Sequence, residues 1–275
     1  MTVINTNIKA VTAQNALAAN QRDLSSTMQQ LATGRRINSA ADDAAGLAIS
    51  NKMTSQIRSL DMAVKNANDG ISLLQTADAA SSELTGMLNR MRELAIQSAN
   101  DIYTDEQRNS LNNEVGELQA EMNNIIQNTQ WNGMRILDGG AGSSGTVKLQ
   151  VGAQGADIVT VDMSSLNSGA VSSVQSIDIS TRDGANSALA TIDSAIAQID
   201  ESRGRWGAVV NRLTYAADNA ANVSLNSQAA RSRINDTDYA KATAELARTM
   251  ILDQAGAAML SQANQQPYYV LALLR

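Results

Sequence analysis

The sequence predicts a mainly α chain: a long antiparallel helical rod or coiled coil with a small β-hairpin region and paired N- and C-terminal helices. Three observations predict it. Apolar residues recur in alternating steps of three and four through both halves of the chain, the spacing of a coiled-coil seam. A single proline, Pro267, leaves room for long uninterrupted helices. Aromatic residues make up only 3% of the chain and Phe is absent. The apolar positions are therefore filled by Ala, Leu, Ile, Val and Met, which suit thin helix–helix seams better than a thick core.

At the N-terminus, Ile4, Ile8 and Val11 share one helical face, and Leu17, Leu24, Met28 and Leu31 continue it in steps of seven, four and three. Gly34 marks the end of this helix, followed by Arg35 and Arg36. The loop Asn38-Ser39-Ala40-Ala41 then leads to Asp42 and Asp43, which can cap a new helix. That second helix has the clearest pattern in the chain: Met53, Ile57, Leu60, Val64, Ala67, Ile71 and Leu74. The seam resumes after Asp78 with Leu84, Leu88, Met91 and Ala95. Thr104-Asp105-Glu106-Gln107 reads as a capping box opening a third seam of Leu111, Val115, Leu118, Met122 and Ile125.

The middle is different. Gly139, Gly140, Gly142 and Gly145 fall in a stretch without periodicity. Val147, Leu149 and Val151 then alternate with polar residues, as do Val159, Val161 and Met163, which predicts a β-hairpin. A second short ribbon is expected around Ile177 and Ile179. Helical pattern returns with Leu189, Ile192, Ile196, Ile199, Trp206, Val210, Leu213, Ala217 and Ala220, interrupted only by Arg203. A last stretch carries Tyr239, Ala242, Leu246, Met250, Ala257 and Leu260.

Length decides between globule and rod. A helix over residues 43–99 would extend roughly 85 Å, whereas a compact chain of this size is only about 50 Å across. The seam crosses Asp69-Gly70 in register, so an unbroken helix and a rod are expected. Two sets of seams flanking one β-rich insert form a helical hairpin that returns the C-terminus to the N-terminus. Residues 1–42 and 233–275 are then a terminal helical polymerisation domain. Residues 43–232 are a helical rod domain with its β-hairpin insert at about 138–184.

Composition excludes most chemistry. Without Cys or His there is no thiolate or imidazole for a metal centre or a relayed nucleophile, so no enzyme, metal or cofactor is expected. The Asp42-Asp43 and Asp236/Asp238 pairs read as caps and turns, and the second lacks the central Gly and distal Glu of a calcium loop. The glycine cluster has no following Lys-Ser/Thr, so it is a connector rather than a phosphate cradle. Met53, Met87, Met91 and Met122 fall at seam spacing. A net charge of −6 with no basic stripe argues against nucleic acid. No apolar run reaches the ~20 residues that span a bilayer. Residues 1–15 carry only Lys9 and no continuous apolar stretch, unlike a cleavable signal peptide. The terminal helices add little to a core between them, which points to a self-assembly surface built from Ile4, Ile8, Val11, Leu17, Leu24, Met28, Leu31, Leu246, Met250 and Leu260.

Five stretches together resemble a known family. They are Ile4-Asn-Thr-Asn7, residues 31–49 (LATGRRINSAADDAAGLAI), residues 88–97 (LNRMRELAIQ), residues 230–240 (ARSRINDTDYA) and the end of the chain, Ala263-Asn-Gln-Gln-Pro267 with Val270 to Arg275. All are similar to the bacterial flagellins, in a short form lacking the variable outer domains. The resemblance implies a filament subunit for motility, exported without a cleavable signal and assembled outside the cell. The implied partners are further copies of the chain, an export chaperone on the C-terminal helix, the filament cap and hook-junction proteins. It also carries over a patch for a host Toll-like receptor, at Arg90, Leu94 and Glu114, and a cytosolic receptor site at Leu271, Leu273 and Leu274. The alternatives are a hook–filament junction protein of the flagellum and, in a different class, a secreted helical translocator.

Overall fold

The computed structural model of the chain describes residues 6–272, with side chains described through residue 266. Among these, the helices are α1 (Ile8–Thr33), α2 (Ala44–Ser98), α3 (Asp105–Asn128), α4 (Gly169–Val174), α5 (Arg182–Asn235) and α6 (Tyr239–Ala272). The strands are β1 (Gln130–Trp131), β2 (Met134–Arg135), β3 (Thr146–Gln150) and β4 (Ile158–Asp162). The fold is mainly α with a small β region, as the periodicity predicts. The chain divides into two compact units, Met1–Ser55 with Asn226–Arg275, and Gln56–Leu225.

The second unit holds one continuous apolar cluster. Leu74, Leu84, Leu88 and Met91 of α2, Val115, Met122 and Ile126 of α3, and Ile192, Ile199, Trp206 and Leu213 of α5 all belong to it. Helices α2 and α5 run antiparallel, which their cross-links record in order. Arg92 donates to Asp193 (2.8 Å), Arg203 to Asp78 (2.7 Å), and Ser224 to Asp61 (2.8 Å). Arg203, the charged intruder of the seam, thus reaches a carboxylate at the edge while its stem packs inward. The start of α3 is a capping box, Thr104 and Gln107 each accepting the other's backbone N–H.

Helix α2 passes through Asp69-Gly70 without a break and is 55 residues long. Gly70 has a packing reason to be there: a Cβ at this position would collide with the Leu149 side chain of β3, so the missing side chain admits the ribbon. In that ribbon Thr146 opposes Asp162 and Leu149 opposes Val159. Val159 and Val161 are buried, and the Trp206 indole N–H donates to the Asp162 carbonyl at 3.0 Å.

Two local expectations are corrected. The second ribbon expected around Ile177 and Ile179 is absent among the described residues. Ile179 is buried, but its N–H donates to the Asn112 side chain at 2.9 Å and its carbonyl accepts from Ser98 Oγ. Side chains of α2 and α3 occupy the backbone groups that a strand partner would use. Conversely, a short ribbon that the periodicity does not predict forms at Trp131. Asn132 and Gly133 have φ of 50° and 76°, the two left-handed positions of a type I′ turn, and pair β1 with β2.

Ser81 is fully buried and its hydroxyl has no hydrogen-bond partner. Burying an unsatisfied hydroxyl costs about 1–3 kcal/mol. Ser81→Ala is therefore expected to raise the unfolding free energy by about 1 kcal/mol in chemical denaturation, an unusual gain for a core position.

Candidate assembly interface

The terminal unit is built on the antiparallel pair α1–α6. Asn7 Nδ2 donates to the Ala263 carbonyl (2.8 Å), Asn20 Nδ2 to the Thr249 carbonyl (2.8 Å), and the Tyr239 hydroxyl to the Leu31 carbonyl (3.2 Å). A Cβ on Gly256 would lie 3.1 Å from Leu17, so the helices approach closely there.

The seam differs from the apolar stripe that the sequence suggests. On α1 the less exposed positions include Ala13, Leu17, Asn20, Leu24, Thr27 and Leu31; on α6 they include Ala242, Leu246, Thr249, Asp253, Gly256 and Leu260. Both sets step by three and four. Polar Asn20, Thr27 and Thr249 enter because their donors are satisfied: Thr27 and Thr249 bond the carbonyls of Asp23 and Glu245 one turn back. Met28 and Met250, at neighbouring positions, are consequently turned outward. Ile8 and Val11 are exposed as well. Ile4 lies outside the described residues. The expected set thus splits: Leu17, Leu24, Leu31, Leu246 and Leu260 are half-buried along the pair, while Ile8, Val11, Met28 and Met250 are exposed.

A groove of about 730 Å³ runs along one flank, with Ile8, Leu17, Leu252 and Met259 among its lining residues. Ile251 is also exposed on α6. In the seam itself one carboxylate oxygen of Asp253 is buried without a hydrogen bond.

The two signature stretches meet at the other end of this pair. Gly34, with φ of 69°, ends α1 in the left-handed conformation and its carbonyl accepts from Thr237 N–H. The backbones of Arg35 and Asp236 form an isolated antiparallel bridge, and Arg36 caps the end of α5 twice, through its backbone to Asn235 O (2.7 Å) and its guanidinium to Ile234 O (2.6 Å). A cation is favoured there by the helix dipole. Ile37 is buried beneath this turn. Asp43 caps α2 by accepting from Gly46 N–H at 2.8 Å.

Asp42 accepts from the backbone N–H groups of Ser39 (2.8 Å) and Asn38 (3.0 Å), which hold its carboxyl below the ordinary carboxylate range. A depressed folded pKa means that the stabilisation is present above the unfolded value and is lost as pH falls through the folded one. Hydrogen-exchange protection of the Ser39 amide, after correction for the intrinsic pH dependence, is expected to hold down to about pH 4 and to disappear on further acidification. In Asp42→Asn that step should vanish.

The receptor residues carried over from the resemblance do not form one patch. Arg90 and Glu114 are exposed and joined by two hydrogen bonds, of 2.9 and 2.8 Å. That pairing raises the Arg90 pKa above its usual value. Leu94 is 1% exposed, because its position on α2 turns it toward the core beside Met91 and Ala95. The side chain of Leu271, and Leu273 and Leu274 altogether, lie outside the described residues. Among the described residues no group of acidic side chains could hold a metal ion, and no helix is long and apolar enough to cross a membrane.

Comparison with known proteins agrees with both ends of this arrangement. Residues 4–142 match the bacterial flagellin N-terminal helical region and residues 189–274 its C-terminal helical region. The chain is 44% identical to a flagellin of Halalkalibacterium halodurans, over 99% of this chain and 100% of that protein. It is 40% identical to the flagellin of Bacillus subtilis, over 99% of each. Among solved structures, Bacillus cereus flagellin is 29% identical with a TM-score of 0.52, covering 57% of this chain and 88% of that one. With both terminal regions matched and full-length relatives at this identity, the chain belongs to the bacterial flagellins.

Proposed function

We propose that this chain polymerises through the outer surface of its α1–α6 pair. As a flagellin it is a structural subunit of the extracellular bacterial flagellar filament, and it serves motility. The observation that carries the finer reading is the exposure of Ile8, Val11, Ile251, Leu252 and Met259 on a pair whose own seam is thin and partly polar. Such a pair gains stability from neighbours that cover its apolar surface. Residues 1–42 and 233–275 act as the polymerisation domain, and residues 43–232 carry the rod and its hairpin.

Export without a cleavable signal, a chaperone on the C-terminal helix, the cap and the hook-junction proteins complete this reading as partners. Recognition by a Toll-like receptor rests on the exposed Arg90–Glu114 pair, with Leu94 acting from beneath through packing. The terminal leucines Leu271, Leu273 and Leu274 are assigned to a cytosolic receptor. These roles rest on the correspondence of residues within the family.

The test is a charge placed on the surface rather than in the seam. In Ile8→Lys/Leu252→Lys both new side chains flank the groove, so the pair should keep its helicity by circular dichroism. A charge buried without a partner costs several kcal/mol, so seeded elongation should fall more than about tenfold. Elongation at the wild-type rate would refute the assignment of this surface.

A further inference from the structure

We propose that Met259, Met28 and Met250 are oxidation-sensitive modification sites for hydroperoxides, spaced along the α1–α6 pair, whose sulfoxide products block addition of the subunit to a filament. The inference rests on the polymerising surface assigned above and adds a chemistry to it.

The chain has 11 methionines and no cysteine, so every sulfur that a two-electron oxidant can attack is a thioether. The fold sorts these thioethers sharply. Met91, Met122 and Met163 are fully buried in the second unit. Among the described residues the exposed ones are Met28 (45%), Met62 (52%), Met250 (45%) and Met259 (65%). Three of the four stand on α1 or α6. Met259 is the most exposed, and it lines the groove together with Ile8 and Leu252. The seam explains the placement, since Thr27 and Thr249 occupy the inward positions beside Met28 and Met250.

The step is balanced by the peroxide alone. A sulfur lone pair attacks one peroxide oxygen, the S–O bond forms as the O–O bond breaks, and the departing oxygen takes up a proton to leave as water or alcohol. Sulfur is oxidised by two electrons and the peroxide is reduced by two. The product replaces an apolar, flexible side chain with a polar one. A surface that must become dry on assembly then buries a sulfoxide oxygen with no assigned donor. Sulfoxide reductases reverse the change, and once the subunit is packed in a filament the same sulfurs are covered.

Full-length monomer treated with hydrogen peroxide is compared with untreated monomer in seeded elongation, with sulfoxide mapped by mass spectrometry and helicity followed by circular dichroism. Sulfoxide is expected at Met259, Met28, Met250 and Met62 but not at the buried methionines. Elongation should slow by about tenfold or more at unchanged helicity, and methionine sulfoxide reductase should restore it. The triple variant Met28→Leu/Met250→Leu/Met259→Leu, judged as treated against untreated whatever its own starting rate, should lose the sensitivity although Met62 is still oxidised. Treated wild type elongating at the untreated rate would overturn the proposal, as would a triple variant that remains as sensitive as wild type. Met259→Lys separates the two levels of the argument. If it elongates normally, the interface assignment itself falls. If it blocks elongation while the sulfoxide does not, only the oxidation site falls.

Discussion

Deleting residues 1–33 is expected to leave a soluble, folded monomer that no longer forms filaments. The deletion removes the whole of α1 and nothing from the unit Gln56–Leu225, whose apolar cluster draws only on α2, α3, α4, α5 and the segments between them. It strips α6 of its partner: Ala242, Leu246, Thr249 and Leu260 lose the helix against which they pack. A lone helix of this kind is marginal in water, because its stability comes mainly from packing. Circular dichroism should therefore show loss of the signal of both α1 and α6, while the unit Gln56–Leu225 keeps its thermal transition. Protease digestion of the intact monomer is expected to nick the terminal segments before that unit. Filaments of the truncated chain in negatively stained electron micrographs would rule out terminal pairing as the basis of assembly.

Leu88→Ala should produce the largest loss of stability of any single substitution named here, about 3 kcal/mol. Leu88 is fully buried at a seam position of α2, between Leu84 and Met91 in the same cluster. The reason for a value well above simple transfer is compositional. With no Phe in the chain, few bulky side chains stand ready to relax into the space, and the small residues Ala77, Ala95, Ala188 and Ala195 in the cluster cannot reach across it. The cost is then the lost transfer energy plus a cavity that stays open. For a unit of this size the melting temperature should fall by roughly 6–12 °C. A drop of less than 2 °C would mean that the site collapses, and that the seam is softer than its burial implies.

Both results bear on how much could be read in advance. The unbroken course of α2, the capping box at Thr104, and the hairpin of Val147 to Val161 follow from local rules, periodicity and turn chemistry, which act within a few residues. The assembly residues were legible only in part. An apolar stripe names the residues that avoid water but not which of them face a helix of the same chain. Thus Leu17 and Leu24 pack within the pair, whereas Met28 does not, and Thr27 takes the inward place because its hydroxyl is satisfied by the Asp23 carbonyl. Leu94 shows the converse: its match to a family position says nothing about burial, and burial removes it from the surface.

The sequence alone determined the mainly helical fold and the likeness of both ends to one family, since composition and spacing are properties of the chain itself. The tertiary structure decided which polar residues are admitted to the terminal seam, that Gly70 lies beneath the Leu149 side chain, and that residues 34–37 and 234–237 form one junction. The last two depend on residues distant in the chain, Leu149 over Gly70 and Thr237 on the Gly34 carbonyl. The fit of one side chain over another, or of one turn against a distant one, has no local signature to read.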